Sequence, residues 1–315
     1  MNLRAAPMLL GLVIAALAAG VVLGVVIWRE TYNLTSPAGY AQPDPKTFTY
    51  TETPRTAAGL DFQEIAFAAP DGRTVRGWLV PAAGDAKDLG VVALHGRGGD
   101  RRGALAQLPI FHGEGAGVAL IDMRENGLSD GKGRGIGLAV RESEDAVAAA
   151  EDLRRRGYRK IVVFGCSLGA SAAVLAAARD PAIDGVIAES TLGSFESFKA
   201  DGATRRLARF GLRAPWVADA WGRAVVAVTR WRIGLQHYER PFDVVDRIAP
   251  RPILLIHGER DPWAWPEHAR TLARVAGPNA TLMMVPQGGH CDDMAVAPAE
   301  YRARIVELLK KAAPR

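Results

Sequence analysis

Ile161-Val162-Val163-Phe164-Gly165-Cys166-Ser167-Leu168-Gly169-Ala170 is the stretch that decides the fold. Four apolar residues read as a buried strand. A Gly-x-Ser-x-Gly turn follows, and the small apolar run Ala170 to Ala178 reads as a helix packed beside a sheet. A sharp strand-to-helix turn lifts a serine above the sheet edge, where a base and a substrate carbonyl can both reach it. Flanking glycines remove side chains that such a turn would crush. Ser167 is therefore the expected nucleophile. Cys166 is the rival thiol, but it stands one place before the apex and reads as a small packing residue.

Outward from this turn, strands and helices alternate. Phe62–Phe67 and Thr74–Val80 read as strands joined at Asp71-Gly72. Short apolar runs follow at Val91–Leu94, Gly117–Ile121, Gly185–Ala188, Pro252–Ile256 and Thr281–Val285. Amphipathic helices are expected at Val140–Arg156 and Glu300–Lys311. This alternation predicts an α/β fold with a mostly parallel central sheet and helices on both faces. The glycines at 131, 133, 135 and 137 do not match dinucleotide-binding spacing and read as a flexible loop.

The acid and base of a serine hydrolase follow the nucleophile in this chain order. His290 sits in Gly288-Gly289-His290, just past the last strand, and is the expected base. Asp261, beyond the strand ending at Ile256, is the expected acid, with Glu259 and Glu189 as rivals and Asp243, Asp292 and Asp293 behind them. An oxyanion hole needs two fixed backbone N–H groups. Leu168 follows the nucleophile, and Arg97 lies in His95-Gly96-Arg97-Gly98-Gly99, where its side chain is incidental to the oxyanion role and His95 reads as support for the loop.

Taken in order, His95-Gly96-x-x-Gly99, Asp122-x-Arg124-x-x-Gly127-x-Ser129, Gly165-x-Ser167-x-Gly169, His257-Gly258-x-x-Asp261 and Gly288-Gly289-His290 resemble the α/β-hydrolases, in particular the serine aminopeptidase-like and membrane-anchored Bem46-like group, over about residues 60–312. The resemblance implies a Ser167–His290–Asp261 triad working through an acyl-enzyme ester. Glu125 departs from it, standing where relatives commonly carry glycine. The fold leaves the substrate open. The expected activity is cleavage of a small or lipid-like carboxylic ester; a peptidase or amidase is the alternative, with an amine-binding acid that would have to come from Glu125 or Glu189, and the complete set of triad motifs argues against a silent membrane-tethered binding module.

The 315 residues also carry an N-terminal segment outside this pattern. Met8 to Trp28 is uncharged and would rise about 31 Å as a helix, the thickness of a bilayer's hydrocarbon. The expected organisation is a membrane anchor at 1–30, a proline-rich tether at 31–60 and the hydrolase domain at 61–315. The short basic tail before the anchor puts the catalytic domain on the extracytoplasmic side. A cleaved signal peptide ending near Ala18 is the competing reading; eight further apolar residues beyond that point favour the anchor. Asn33-Leu34-Thr35 matches a glycosylation sequon too common to weigh much.

A lid insertion is expected at about 191–248. Residues 200–240 hold eight arginines against three acids, which accounts for the whole formal excess of +5. Trp216, Trp221 and Trp231 share the segment. It reads equally as a cap facing an acyl pocket and anionic lipid, or as one whose tryptophans pack on the core and whose arginines are solvated. Nothing points to nucleic acid. Two cysteines build neither a disulfide framework nor a CxxC metal site, and no motif calls for a metal or organic cofactor.

Overall fold

The computed structural model describes residues 5–36, 48–84, 87–131 and 133–313. Eight strands form one sheet: β1 (Gln63–Ala68), β2 (Thr74–Val80), β3 (Leu89–Leu94), β4 (Gly117–Asp122), β5 (Lys160–Cys166), β6 (Gly185–Glu189), β7 (Ile253–Gly258) and β8 (Ala280–Val285). Their order is β1-β2-β4-β3-β5-β6-β7-β8. β2 runs antiparallel to both neighbours, and every pair from β4 to β8 is parallel. Val163 packs into one core layer and Val162 and Phe164 into the other. Successive residues of a strand face opposite sides, so a strand covered on both faces must be apolar throughout. That is why continuous apolar runs located these strands.

The helices are α1 (Ala5–Thr35), α2 (Pro54–Ala58), α3 (Leu108–Gly113), α4 (Val140–Arg155), α5 (Leu168–Arg179), α6 (Phe195–Ala208), α7 (Pro215–Ile233), α8 (Pro241–Val244), α9 (Pro266–Ala276), α10 (Asp293–Val296) and α11 (Pro298–Ala312). Between β6 and β7 the long elements are α6 and α7, packed on each other. The expected lid span contains both.

The N-terminal segment departs from the expected boundary at residue 30. α1 continues to Thr35, and Thr31, Leu34 and Thr35 are buried against the catalytic fold. Thr31 and Thr229 of α7 share a hydroxyl contact of 3.3 Å, and Glu30 pairs with Lys199 of α6 at 2.8 Å. The sequon's Thr35 is thus a buried helical residue rather than part of an open loop. The middle of the expected tether, 37–47 with its first three prolines, lies outside the described residues. The fourth proline of the proline-rich tether, Pro54, lies inside regular structure. It opens α2 behind the Thr53 cap, where proline's missing N–H costs nothing.

The glycine-rich segment is a loop, and its second half is packed against the fold. Ile136 and Leu138 are buried, Ile136 N–H donates to Thr35 O at 2.9 Å, and Gly137 N–H donates to Glu142 at 2.6 Å. Ile136, between the last two glycines, and Leu138, just after them, hold this part of the loop down against α1 and α4. Glu125 takes a left-handed φ of 64° and its carboxylate accepts from Gly133 N–H at 3.0 Å. The positive φ explains why glycine suits this position.

Candidate active site

β5 delivers Ser167 at the C-terminal edge of the sheet's centre. Ser167 sits at φ 55° and ψ −113°, a region L-residues avoid. The turn is held by Ser167 N–H to Glu189 O at 2.9 Å and by Ser171 N–H to Ser167 O at 3.1 Å. Its glycines are steric necessities. A Cβ on Gly165 would fall 2.2 Å from the Gly169 carbonyl group, and one on Gly169 would fall 2.6 Å from His95 O.

The loops after β7 and β8 bring the other two expected residues to the same edge. His290 Nε2 lies 2.9 Å from Ser167 Oγ, and His290 Nδ1 lies 2.7 Å from Asp261 Oδ2. With the carboxylate accepting from Nδ1–H, Nε2 is free to accept from the serine hydroxyl. Asp261 Oδ1 accepts from Trp263 N–H at 2.8 Å and Ala264 N–H at 2.9 Å. Burial alone would raise the Asp261 carboxyl. The bond and charge of His290, helped by those two N–H groups, outweigh burial and hold it below its usual range.

The rival acids are occupied elsewhere. Glu259 pairs with Arg270, Asp243 with Arg240, and Asp292 accepts from Gly289 N–H. Glu189 is buried and accepts from Tyr301 Oη at 2.7 Å. Burial pushes its carboxyl up to about 6. Asp293 lies beside it behind the His290 loop. Burial, then the charges of Glu189, Asp292 and Asp261, push Asp293 up to about 8. Here folded-state protonation exceeds that of the unfolded chain. Stability is therefore full below the ordinary carboxyl range and is lost as pH rises towards 8. Asp293→Asn should flatten that decline, removing a slope of at most about 1.4 kcal/mol per pH unit. Thermal midpoints of both proteins between pH 5 and 8 check this, and parallel curves refute it (the pH limits follow about the ordinary and raised carboxyl values).

The loop after β3 passes close to the serine, with a Cβ on Gly96 falling 3.6 Å from Ser167 Cβ. His95 braces it from beneath: Nε2 accepts from Met123 N–H at 3.0 Å, and Nδ1 meets Gly96 O at 2.7 Å. Burial lowers the His95 pKa and keeps the ring neutral. Arg97 and Leu168 both line the pocket beside Ser167. The Arg97 side chain, incidental to a backbone N–H role, makes a contact of its own. Its Nη1 donates to Asn33 O of α1 at 3.0 Å, joining this loop to the N-terminal helix.

The cysteine reading is overturned. Cys166 and Cys291 form a disulfide, with Cα atoms 6.2 Å apart and a sequence separation of 125. Each half-cystine adjoins a residue of the hydrogen-bonded chain, Cys166 before Ser167 and Cys291 after His290. The bridge forms part of the pocket wall.

That pocket holds about 280 Å³ and is walled by Leu34, Leu192, Phe195, Phe198 and Trp263. Sequence reasoning missed these aromatics. Phe195 and Phe198 stand three apart at the start of α6, and Trp263 lies two past Asp261, which is the only signal each offers. Of the lid tryptophans, Trp216 and Trp231 face solvent, 74% and 76% exposed, while Trp221 packs on the core. Neither Glu125 nor Glu189 lines the pocket. Among the described residues, no group of three His, Cys, Asp or Glu side chains could hold a metal ion.

An eight-stranded sheet with this order, a strained serine on a strand-to-helix turn and a histidine loop after the last strand define a class. Residues 91–304 match the model of the alpha/beta hydrolase family, and the chain belongs to that family. It is 24% identical over 289 residues to a polyketide transferase of Stachybotrys chlorohalonatus, covering 79% of this chain and 97% of that one. It is also 24% identical over 262 residues to the YfhR protein of Escherichia coli, covering 79% and 81%. Among solved structures, an esterase of Pyrococcus furiosus superposes with a TM-score of 0.66 at 22% identity, covering 86% of this chain and 98% of the esterase.

Proposed function

We propose that the protein is a membrane-anchored serine hydrolase that cleaves a carboxylic ester through an acyl-enzyme. One observation carries the reading: the unbroken chain Ser167 Oγ, His290 Nε2, His290 Nδ1 and Asp261 Oδ2 opens into an apolar pocket. Ser167 Oγ attacks the acyl carbonyl while His290 Nε2 takes its proton. Asp261 holds the imidazolium. The oxyanion faces the backbone N–H groups of Arg97 and Leu168. Collapse expels the alcohol, which takes the proton from His290. Water, deprotonated by His290, then releases the acid and restores the serine. The likeness of the fold to an esterase of P. furiosus fits this reading.

The apolar walls favour an acyl chain. The peptidase alternative loses its acidic subsite, because Glu125 is turned to Gly133 and Glu189 to Tyr301. The anchor is α1, whose stretch Leu10–Thr35 is long and apolar enough to cross a membrane. The Cys166–Cys291 bridge supports an oxidising, extracytoplasmic compartment for the catalytic domain, because disulfides persist where thiols are not kept reduced. A fluorophosphonate should label Ser167 stoichiometrically, and a short acyl ester should be turned over at least about a hundredfold faster than the matched amide. Absence of labelling in folded protein would sink the reading; preference for the amide would replace esterase with peptidase.

A further inference from the structure

The sequence suggests a loose tether between anchor and enzyme, but the helix itself enters the active site. Up to Trp28 the apolar side chains of α1 from Leu10 onward are mostly exposed, with no protein around them. From Thr31 the surroundings change. Thr31, Leu34 and Thr35 are buried against the catalytic fold, and Leu34 is a wall of the pocket. Trp28 and Leu34 are separated by six residues of continuous helix, about 9 Å along its axis, and tilt only brings them closer in depth. The headgroup layer of a bilayer is about 5–8 Å thick on each side. An apolar run ending at Trp28 therefore sets the pocket wall at the outer limit of the headgroups.

The lid sits at the same level. Glu30, one residue past Arg29, pairs with Lys199 at 2.8 Å and Arg206 at 3.3 Å, so the α6 segment between them is held at the depth of Glu30. Beyond Arg206 the next turn presents Arg209 and Phe210, and Phe210 is 81% exposed. At the other end of the same helix, Phe195 and Phe198 face the pocket. One helix thus links an exposed cationic and aromatic end to the apolar walls around Ser167. Exposed aromatics interleaved with arginines suit an anionic membrane surface, and this face is continuous with the helix that enters the membrane.

We propose that the α6 end carrying Arg206, Arg209 and Phe210 lies in the headgroup layer of an anionic bilayer, and that the pocket takes its acyl ester directly from that bilayer. The inference rests on Ser167 as nucleophile and α1 as a membrane span. It makes the enzyme's natural substrate class a membrane-resident lipid ester, and it makes the helix between Trp28 and Leu34 a spacer of fixed length.

The test alters that length. Seven helix-forming polar residues inserted between Trp28 and Arg29 add about 10 Å and nearly two full turns, leaving the contacts from Glu30 onward in register. Full-length protein is reconstituted in phosphatidylcholine vesicles with and without phosphatidylglycerol. It is assayed on a long-chain fluorogenic acyl ester embedded in the vesicles and on a short soluble acyl ester. The insertion should keep soluble-ester turnover within about twofold and cut turnover of the embedded ester by about tenfold or more, since the reacting groups can no longer meet. Phe210→Glu should weaken embedded-ester turnover in the same direction, again sparing the soluble ester. Phosphatidylglycerol should raise wild-type turnover of the embedded ester several-fold. Equal retention of both activities in the inserted protein, or no response to the anionic lipid, overturns the placement. Wild type that hydrolyses only the soluble ester leaves the hydrolase reading standing and removes this inference; wild type that hydrolyses neither removes both.

Discussion

Ser167→Ala should lower ester turnover by about 10⁴-fold or more while leaving the fold in place. The size follows from what the hydroxyl does: it is the proposed bond-forming atom, and nothing else in the pocket can take its place. Its neighbour in sequence, Cys166, is held in a disulfide and offers no thiolate. The pocket walls and the N–H groups of Arg97 and Leu168 survive the substitution, so substrate should still bind and KM should move little. The strained φ of 55° is set by the turn and its glycines, which alanine leaves unchanged. Only one partly buried side-chain hydrogen bond is lost, about 1 kcal/mol. Asp261→Asn tests the other end of the chain. It should cost about 10⁴-fold in kcat, because an amide at this position turns the imidazole to the wrong tautomer. His257, whose Nε2 lies 3.5 Å from Asp261, is kept neutral by burial and bonded to Ala264 O, so it cannot substitute for His290. Steady-state kinetics with thermal midpoints check both variants. Turnover within tenfold of wild type for folded Ser167→Ala, about 1.4 kcal/mol in barrier, contradicts the mechanism.

The sequence made legible whatever depends on local periodicity and turn chemistry. β3 to β8 were visible because a strand covered on both faces is apolar at every position. Ser167 was visible because the turn that exposes it demands glycine at 165 and 169. His290 and Asp261 were placed by their positions after the last two strands, and the structure brings them within hydrogen-bonding distance of each other. What stayed hidden depends on contacts between distant segments. Thr31, Leu34 and Thr35 have the composition of a linker, and they are buried by distant segments, among them α7, the loop at Ile136 and the pocket walls around Leu34. Phe195 and Phe198 of α6 and Trp263 of the loop after β7 become one wall only when β6 and β7 lie side by side. The same holds for Arg97, whose reach to Asn33 has no local signature. Nor could residue spacing reveal that Cys166 meets Cys291.

Removing that disulfide should have the largest effect on stability and a separate effect on rate. The bridge closes a loop of 125 residues. By loop-closure entropy, a crosslink of that span restricts the unfolded chain by about 5 kcal/mol, and native bridges commonly contribute about 2–4 kcal/mol. Cys166→Ser with Cys291→Ser should therefore lower the thermal midpoint by several degrees or more. Loss of rate has another origin. The sheet fixes Ser167, because β5 hydrogen-bonds on both sides, to β3 and to β6. His290 rides on a loop beyond edge strand β8, held by Asp261, by the contact of Cys291 N–H with Ser190 Oγ at 3.1 Å, and by the bridge. Cys291 also holds a left-handed φ of 57°, a conformation that a non-glycine residue abandons readily when released. Without the bridge the loop gains freedom directly beside the base, and a misplacement near 1 Å costs about 10²-fold in an aligned proton transfer. Well below the melting transition, kcat should fall by about 10- to 100-fold with KM nearly unchanged. Reduction of the wild type by excess dithiothreitol, which supplies the two electrons that convert the disulfide to two thiols, should reproduce the loss, and reoxidation should reverse it. If kcat survives while the midpoint drops, the bridge is a structural staple and its position between Ser167 and His290 has no catalytic consequence.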